Sequence, residues 1–202
     1  MFSSIRKHAA HFVAVAAVAI GLSGCGINAV PTQDEQVKAA WSQVQNEYKR
    51  RSDLIPNLVQ TVKGYAAQEK SVLIGVTEAR AKATQMTMSL PADVTSNPEA
   101  FQKFEQTQSQ LGASIGRLLA VSEKYPDLKS NENFMALQSQ LEGTENRITV
   151  ARKDYIDAVQ VYNTTLRTIP SKWIAAIFYP DAKVKQTFSA PENEQEAPKV
   201  SF

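Results

Sequence analysis

The chain has 202 residues, a length that fits one domain with tails, and few glycines (8) or prolines (9). Alanine, glutamine, serine, leucine and valine run throughout, a composition that favours helix over sheet. The formal charge is +2, and Arg6 and Lys7 lie in the first few residues; without them the chain balances at 20 basic and 20 acidic side chains, which excludes a basic footprint for nucleic acid.

The amino-terminal stretch reads as a leader. Arg6 and Lys7 form a short positive region, and the uncharged apolar run that follows extends from Phe12 to Leu22. That run is well short of the about 20 residues a membrane-spanning helix needs and suits a secretory core segment. Next come Leu22, Ser23, Gly24 and Cys25, which resemble the lipobox of bacterial lipoproteins. There, small residues admit the signal peptidase, cleavage falls between the residues matching Gly24 and Cys25, and the cysteine thiol takes a diacylglyceryl group. Two or more acyl chains would anchor the protein to a membrane through Cys25 without a membrane-spanning helix. Cys25 is the chain's one cysteine, so no internal disulfide can form. Gly26 stands where an aspartate would resemble an inner-membrane retention signal, so the expected address is the bacterial cell envelope and, if the host is Gram-negative, the periplasmic face of the outer membrane. The expected organisation is a signal peptide over 1–24, a lipidated tether over 25–31, a helical domain over 32–188 and a disordered tail over 189–202.

Helical signals fill the domain. Thr32 and Glu35 match a capping box. Val37, Trp41, Val44, Tyr48, Ile55, Leu58, Val62, Tyr65, Leu73 and Val76 then recur at steps of three and four, with Arg51 and Glu69 interrupting the stripe. The register passes through Pro56 without a slip. It predicts one long helix over 33–86, bent at Pro56 where the ring clashes with the Ser52 carbonyl. The alternative is a break, with Asp53 capping a new helix. Asn97 before Pro98 opens a second helix, over 98–124, and Asn131 caps a third over 132–168. Ser171 to Phe178, "SKWIAAIF", forms a short apolar segment of one or two turns. Stripes of this kind need partners, and short loops make neighbours antiparallel, so the fold class is all-α: an antiparallel bundle of long helices.

Chemistry is sparse. His8 and His11 both lie in the leader, so the processed chain holds no histidine and its one thiol is lipidated. This removes Ser-His-Asp and Cys-His catalysis and ordinary zinc sites, and no metal or cofactor is expected. Gly112 to Gly116, "GASIG", matches a nucleophile-elbow pattern, but Ser114 lacks the preceding strand and the histidine partner. Gly112 and Gly116 read better as a small-residue face for close helix approach. The polar residues that stand out are Arg51, Asp53, Asn57, Glu145, Asn146, Arg152 and Asn163. They form either interhelical pairs, Arg51 with Glu145 or Asp53 with Arg152, or a polar docking patch for another protein.

Several stretches resemble the LemA family: Ala40-Trp41, Arg50 to Glu69 ("RRSDLIPNLVQTVKGYAAQE"), Thr77 to Ala81 ("TEARA"), Leu118 to Tyr155, Tyr162-Asn163 and Ile169-Pro170. The similarity spans about 32–188. It implies a bundle usually counted as four helices, tethered to a membrane by its amino end. Family members typically carry an anchor helix there, which a lipobox replaces in this chain. The resemblance implies no established catalytic activity. It also points to an envelope protein partner, such as a membrane metalloprotease. The function expected is a non-enzymatic scaffold or adaptor; the alternatives are an envelope hydrolase using carboxylates and a lipid- or peptidoglycan-binding module.

Overall fold

A computed structural model describes residues 26–189. The leader, Gly24, Cys25 and residues 190–202 lie outside the described residues. Among those described there are six α-helices: α1 (Ala29–Tyr65), α2 (Lys70–Met88), α3 (Pro98–Val121), α4 (Pro126–Lys129), α5 (Glu132–Arg167) and α6 (Ser171–Phe178). No helix among the described residues is long and apolar enough to cross a membrane.

The asparagine caps act as their positions imply. Asn97 accepts from the Ala100 amide at 3.1 Å, with Pro98 opening α3, and Asn131 accepts from the Phe134 amide at 3.0 Å to open α5. The capping box at Thr32 does not form. Helix α1 begins earlier, because Val30 is buried in the core, and the Thr32 amide already bonds the Asn28 carbonyl at 3.1 Å. Glu35 pairs with Lys38 instead.

The expected helix over 33–86 is two helices. Helix α1 runs unbroken through Pro56 and ends at Tyr65; the chain reverses over 66–69, and α2 returns alongside it. Ala66 leaves helical geometry and is fully buried, while Gln68 donates to the Tyr125 hydroxyl, which donates to Glu69. Reversal lets Leu73, Val76 and Ala83 pack on α3 and the end of α1 rather than point into solvent. Burying a Leu or Val side chain is worth about 1.5–3 kcal/mol, far more than the cost of one turn. Apolar spacing alone cannot see this, because the stripe continues in step across the reversal.

Helices α1 and α5 lie antiparallel, Trp41 meeting Tyr155 at 5.3 Å and Arg51 meeting Glu145 at 3.2 Å. Helix α3 runs parallel to α1, and α2 antiparallel to it, which gives a bundle of four long helices. At 1.5 Å per residue α1 is about 55 Å long and α2 only about 28 Å. Helix α2 therefore covers the second half of α1, where Ile55, Leu58, Val62, Val76, Leu111, Leu118 and Phe134 form one apolar core. The first half of α1 belongs to a second core, built on Val37, Trp41, Val44, Phe101, Phe104 and Tyr155.

Pro56 lies beside the boundary between these cores. Having no amide hydrogen, it leaves the Ser52 carbonyl without its helical donor. Arg80 of α2 supplies one: its Nε donates to the Ser52 oxygen at 2.9 Å. An unsatisfied, largely buried carbonyl costs about 1–3 kcal/mol. Arg80→Ala should thus cost about 1–2 kcal/mol in urea unfolding. In a Pro56→Ala background, where residue 56 donates to Ser52 itself, the same change should cost distinctly less. Equal costs in both backgrounds would show that Arg80 acts by some contact other than this one.

Candidate functional site

The two cores meet at a polar waist. Arg51 is 4% exposed there. Its Nη1 donates to Glu145 of α5 at 3.2 and 3.5 Å, and its Nη2 donates to the backbone oxygen of Gln108 at 3.0 Å and to the Gln108 side-chain oxygen at 2.8 Å. The guanidinium lies 4.9 Å from the Tyr48 ring centre, a cation–π contact. One turn away, Glu47 of α1 is held by Gln43 at 3.3 Å and by Arg147 of α5 at 3.4 Å. Ser52 meets Thr84 of α2, hydroxyl to hydroxyl, at 3.3 Å. Adjacent residues 51 and 52 of α1 thus contact all three long neighbours.

The sequence-selected residues divide. Arg51 and Glu145 come together. Asp53 and Arg152 do not: Asp53 is exposed and bonds Lys49 at 2.6 Å, while Arg152 lies 4.4 Å over the Phe188 ring. The register explains it. The α1–α5 pairing sets residue 53 opposite about residue 143, so Arg152 is roughly 13 Å further along the helix. Asn57 and Asn146 are exposed and stand apart from the waist. The Ser114 hydroxyl bonds the Gln110 carbonyl within α3. Gly112 and Gly116 make no close helix contact: a Cβ at Gly112 would meet Arg51 Nη1 at an ordinary 3.6 Å, and one at Gly116 would meet nothing within 4 Å.

Asn163 serves the carboxy-terminal segment. It accepts from the Lys185 amide at 2.8 Å and donates to the Lys185 carbonyl at 2.9 Å, the pattern of an added strand partner. Tyr155 donates to the Gln186 carbonyl at 2.8 Å, and the Gln186 amide donates to the Thr95 carbonyl at 2.6 Å. These bonds strap the segment across the first half of α1 and seat Phe188 among Trp41, Phe101 and Tyr155. Lys185 also pairs with Asp34 of α1 at 2.9 Å. Sequence reading missed Phe188 and Arg80, since neither falls on a periodic stripe.

An open cleft of about 390 Å³ flanks the waist between α1 and α2, its rim including Asn46, Lys49, Asp53, Arg80 and Thr87. Asp53 is the only carboxylate among its lining residues. A second, shallower cleft of about 470 Å³ lies near α6 and is lined by Asp34, Asp93, Asp181 and Lys185 among others. Among the described residues no three His, Cys, Asp or Glu side chains converge as a metal site would require.

Two expectations follow. The waist is more than an ion pair, because Gln108 presents only oxygens to residue 51. The double reversal Arg51→Glu with Glu145→Arg should therefore stay about 2 kcal/mol or more below wild type in urea unfolding. Glu145→Gln alone, at a position whose side chain is 49% exposed, should cost about 1 kcal/mol or less. Full recovery in the double reversal would reduce the waist to its charges. At the strap, burial pushes the Asp34 carboxyl up, but Lys185 and Lys38 outweigh it and hold it below its ordinary 3.8. A carboxylate with a lowered folded pKa stabilises above the unfolded value and loses that contribution as pH falls through the folded one. Asp34→Asn should loosen residues 182–189 by about 1 kcal/mol at neutral pH, read by amide exchange, and the difference from wild type should vanish as pH falls below 3.8. A difference independent of pH would show that the carboxylate charge plays no part.

Comparison with known proteins identifies relatives of this chain. The family model described as "LemA family" matches residues 40–202. "Magnetosome protein MamQ 2" of Paramagnetospirillum magneticum is 27% identical over 166 residues, covering 74% of this chain and 60% of that protein. "Magnetosome protein MamQ" of Magnetospirillum gryphiswaldense is 23% identical over 164 residues, covering 74% and 60%. "Protein LemA" of Metamycoplasma hominis is 23% identical over 148 residues, covering 73% and 63%. The chain thus spans less than two-thirds of the length of these relatives. With the family model matching most of its length, and with the bundle built on the stretches that match, the chain belongs to the LemA family.

Proposed function

We propose that this chain is a lipid-anchored scaffold of the bacterial cell envelope, held by acyl chains on Cys25 and presenting the α1–α2 cleft to another envelope protein. The observation that carries the reading is how the waist divides its polar groups. Arg51 donates to Gln108 and Glu145, Ser52 meets Thr84, and Arg80 donates to the Ser52 carbonyl, so these bonds tie α1 to all three of its long neighbours. Lys49, Asp53 and Asn46 line the rim beside them, on a wall that is already fixed. A rigid cleft with hydrogen-bonding rims suits capture of a polypeptide segment at low entropic cost. The magnetosome named in two relatives is a further setting in which such a scaffold would work.

The carboxylate-hydrolase reading fares worse on the same grounds. Two-carboxylate chemistry needs one acid kept protonated beside one kept ionised. The α1–α2 cleft offers Asp53 alone, bonded to Lys49. In the second cleft Lys185 and Lys38 hold Asp34 ionised, which fits only the ionised member of such a pair, and both lysines occupy its carboxylate.

Two measurements test the proposal. Mass spectrometry of membrane-extracted protein should find Cys25 as an acylated amino terminus; an unmodified Cys25 would overturn the anchor. A photo-crosslinking residue at Thr87, on the cleft rim, should capture a defined envelope protein in cells, while one at exposed Val150 on α5 should not. Identical products from both positions, or none from Thr87, would overturn the scaffold reading.

A further inference from the structure

Helix α6 is the most apolar surface feature of the bundle and it faces outward. Trp173 is 60% exposed, Ile177 73% and Phe178 56%, with Ile169 just before the helix at 64%. Trp173 and Ile177 are one turn apart, so they share a face. Ala175, on the other side, is buried against the body. From residue 167 to residue 178 the charged side chains are Arg167 and Lys172, both exposed and both basic, with no acid among them. An apolar face with aromatic and basic residues at its edge is the composition of a helix lying in a membrane interface.

Position says what covers it. A Cβ placed on Gly26 would lie 3.2 Å from Ile174 Cδ1, so Gly26 sits directly against α6. Cys25 is the preceding residue, and consecutive Cα atoms are about 3.8 Å apart. On the lipoprotein reading Gly26 is the second residue of the processed chain, directly after the acylated Cys25. Any membrane that holds that end of the chain lies against α6, with no tether length to separate them. A protein partner or a second copy would have to displace that membrane to reach the same face.

We infer that α6 is an interfacial membrane-binding helix, inserting Trp173, Ile177 and Phe178 at the headgroup–acyl boundary while Arg167 and Lys172 meet anionic headgroups. The inference rests on the membrane tether at Cys25 and deepens it: the domain is seated on the bilayer in a fixed orientation and does not swing on a leash. The acyl chains and α6 then act as two linked contacts, each raising the effective concentration of the other.

The chain contains two tryptophans, Trp173 in α6 and Trp41, which is 7% exposed in the core, so fluorescence separates them. The full chain, expressed with its leader and purified from membranes, is reconstituted into phosphatidylethanolamine and phosphatidylglycerol vesicles, with ordinary or dibrominated acyl chains. Flotation reads the anchor; quenching reads α6. The proposal expects vesicles to float with the protein, iodide to lose access to Trp173, and brominated lipid to lower its emission about twofold. A Trp173→Phe variant, altered only at an exposed side chain, should float equally and show no quenching of Trp41. Flotation without bromolipid quenching would overturn the α6 contact and leave the anchor standing. Iodide protection without bromolipid quenching would mean that a protein surface covers α6, and would overturn the lipid assignment. Failure to float would overturn anchor and α6 contact together. A Cys25→Ser chain without the leader that still shows bromolipid quenching of Trp173 would support the α6 contact independently of the acyl chains.

Discussion

Pro56 cannot donate a hydrogen bond to Ser52, and the middle of the bundle is organised around that missing bond. A helix as long as α1 could shed the proline by breaking there, as the Asp53 cap would have allowed. It stays whole because a neighbouring helix supplies the donor: Arg80 reaches across from α2 to the Ser52 carbonyl. The defect in α1 thus becomes a docking point, and α2 can satisfy it at only one axial position. A stripe of leucines and valines lets helices slide by a turn with little change in burial. One orphan carbonyl does not.

Arg51 does for α3 and α5 what Ser52 does for α2. Its donors point at a backbone oxygen and a side chain of Gln108 on one helix and at Glu145 on the other. Burying a guanidinium is costly, so its net contribution to stability is small compared with the cores above and below. Its effect is on register: a shift of either helix leaves a buried cation facing apolar side chains. That division explains why the apolar core is in two pieces. The pieces supply most of the free energy, and the polar layer between them specifies which of several near-equivalent packings is adopted.

How much of this was legible in the sequence depends on range. Asn97-Pro98 and Asn131 announced helix starts because a cap is a local device that acts within four residues. The α1 and α5 stripes were legible because burial repeats every turn. Arg51 and Glu145 could be paired because each interrupts or borders a stripe where a charge is expensive. The reversal at 66–69 was not legible, since its apolar residues keep helical spacing on both sides. Arg80 looks like any surface arginine until the carbonyl it serves is in view. Phe188 is a lone aromatic in a polar stretch, and nothing local says it completes the cluster of Trp41, Phe101 and Tyr155. Gly112 and Gly116 misled in the other direction, because a spacing that permits close helix approach does not require a helix to be there.

The anchor and the cleft constrain each other through the length of α1. The amino end of α1 and helix α6 lie at one pole of the bundle, and the cleft begins near Gln45. From Ala29 to Gln45 the helix rises about 24 Å at 1.5 Å per residue. On the proposed seating, with the pole that carries α6 at the bilayer surface, an upright α1 would raise the cleft about 24 Å above the headgroups. A lipid still embedded in its own leaflet cannot reach that height, whereas a folded domain or an extended segment of an envelope protein can. An upright seating would therefore weigh against lipid as the ligand of the cleft. A tilted bundle would lower the cleft, so the proposed contact at α6 and the proposed partner at the cleft constrain each other through the angle that α1 makes with the surface.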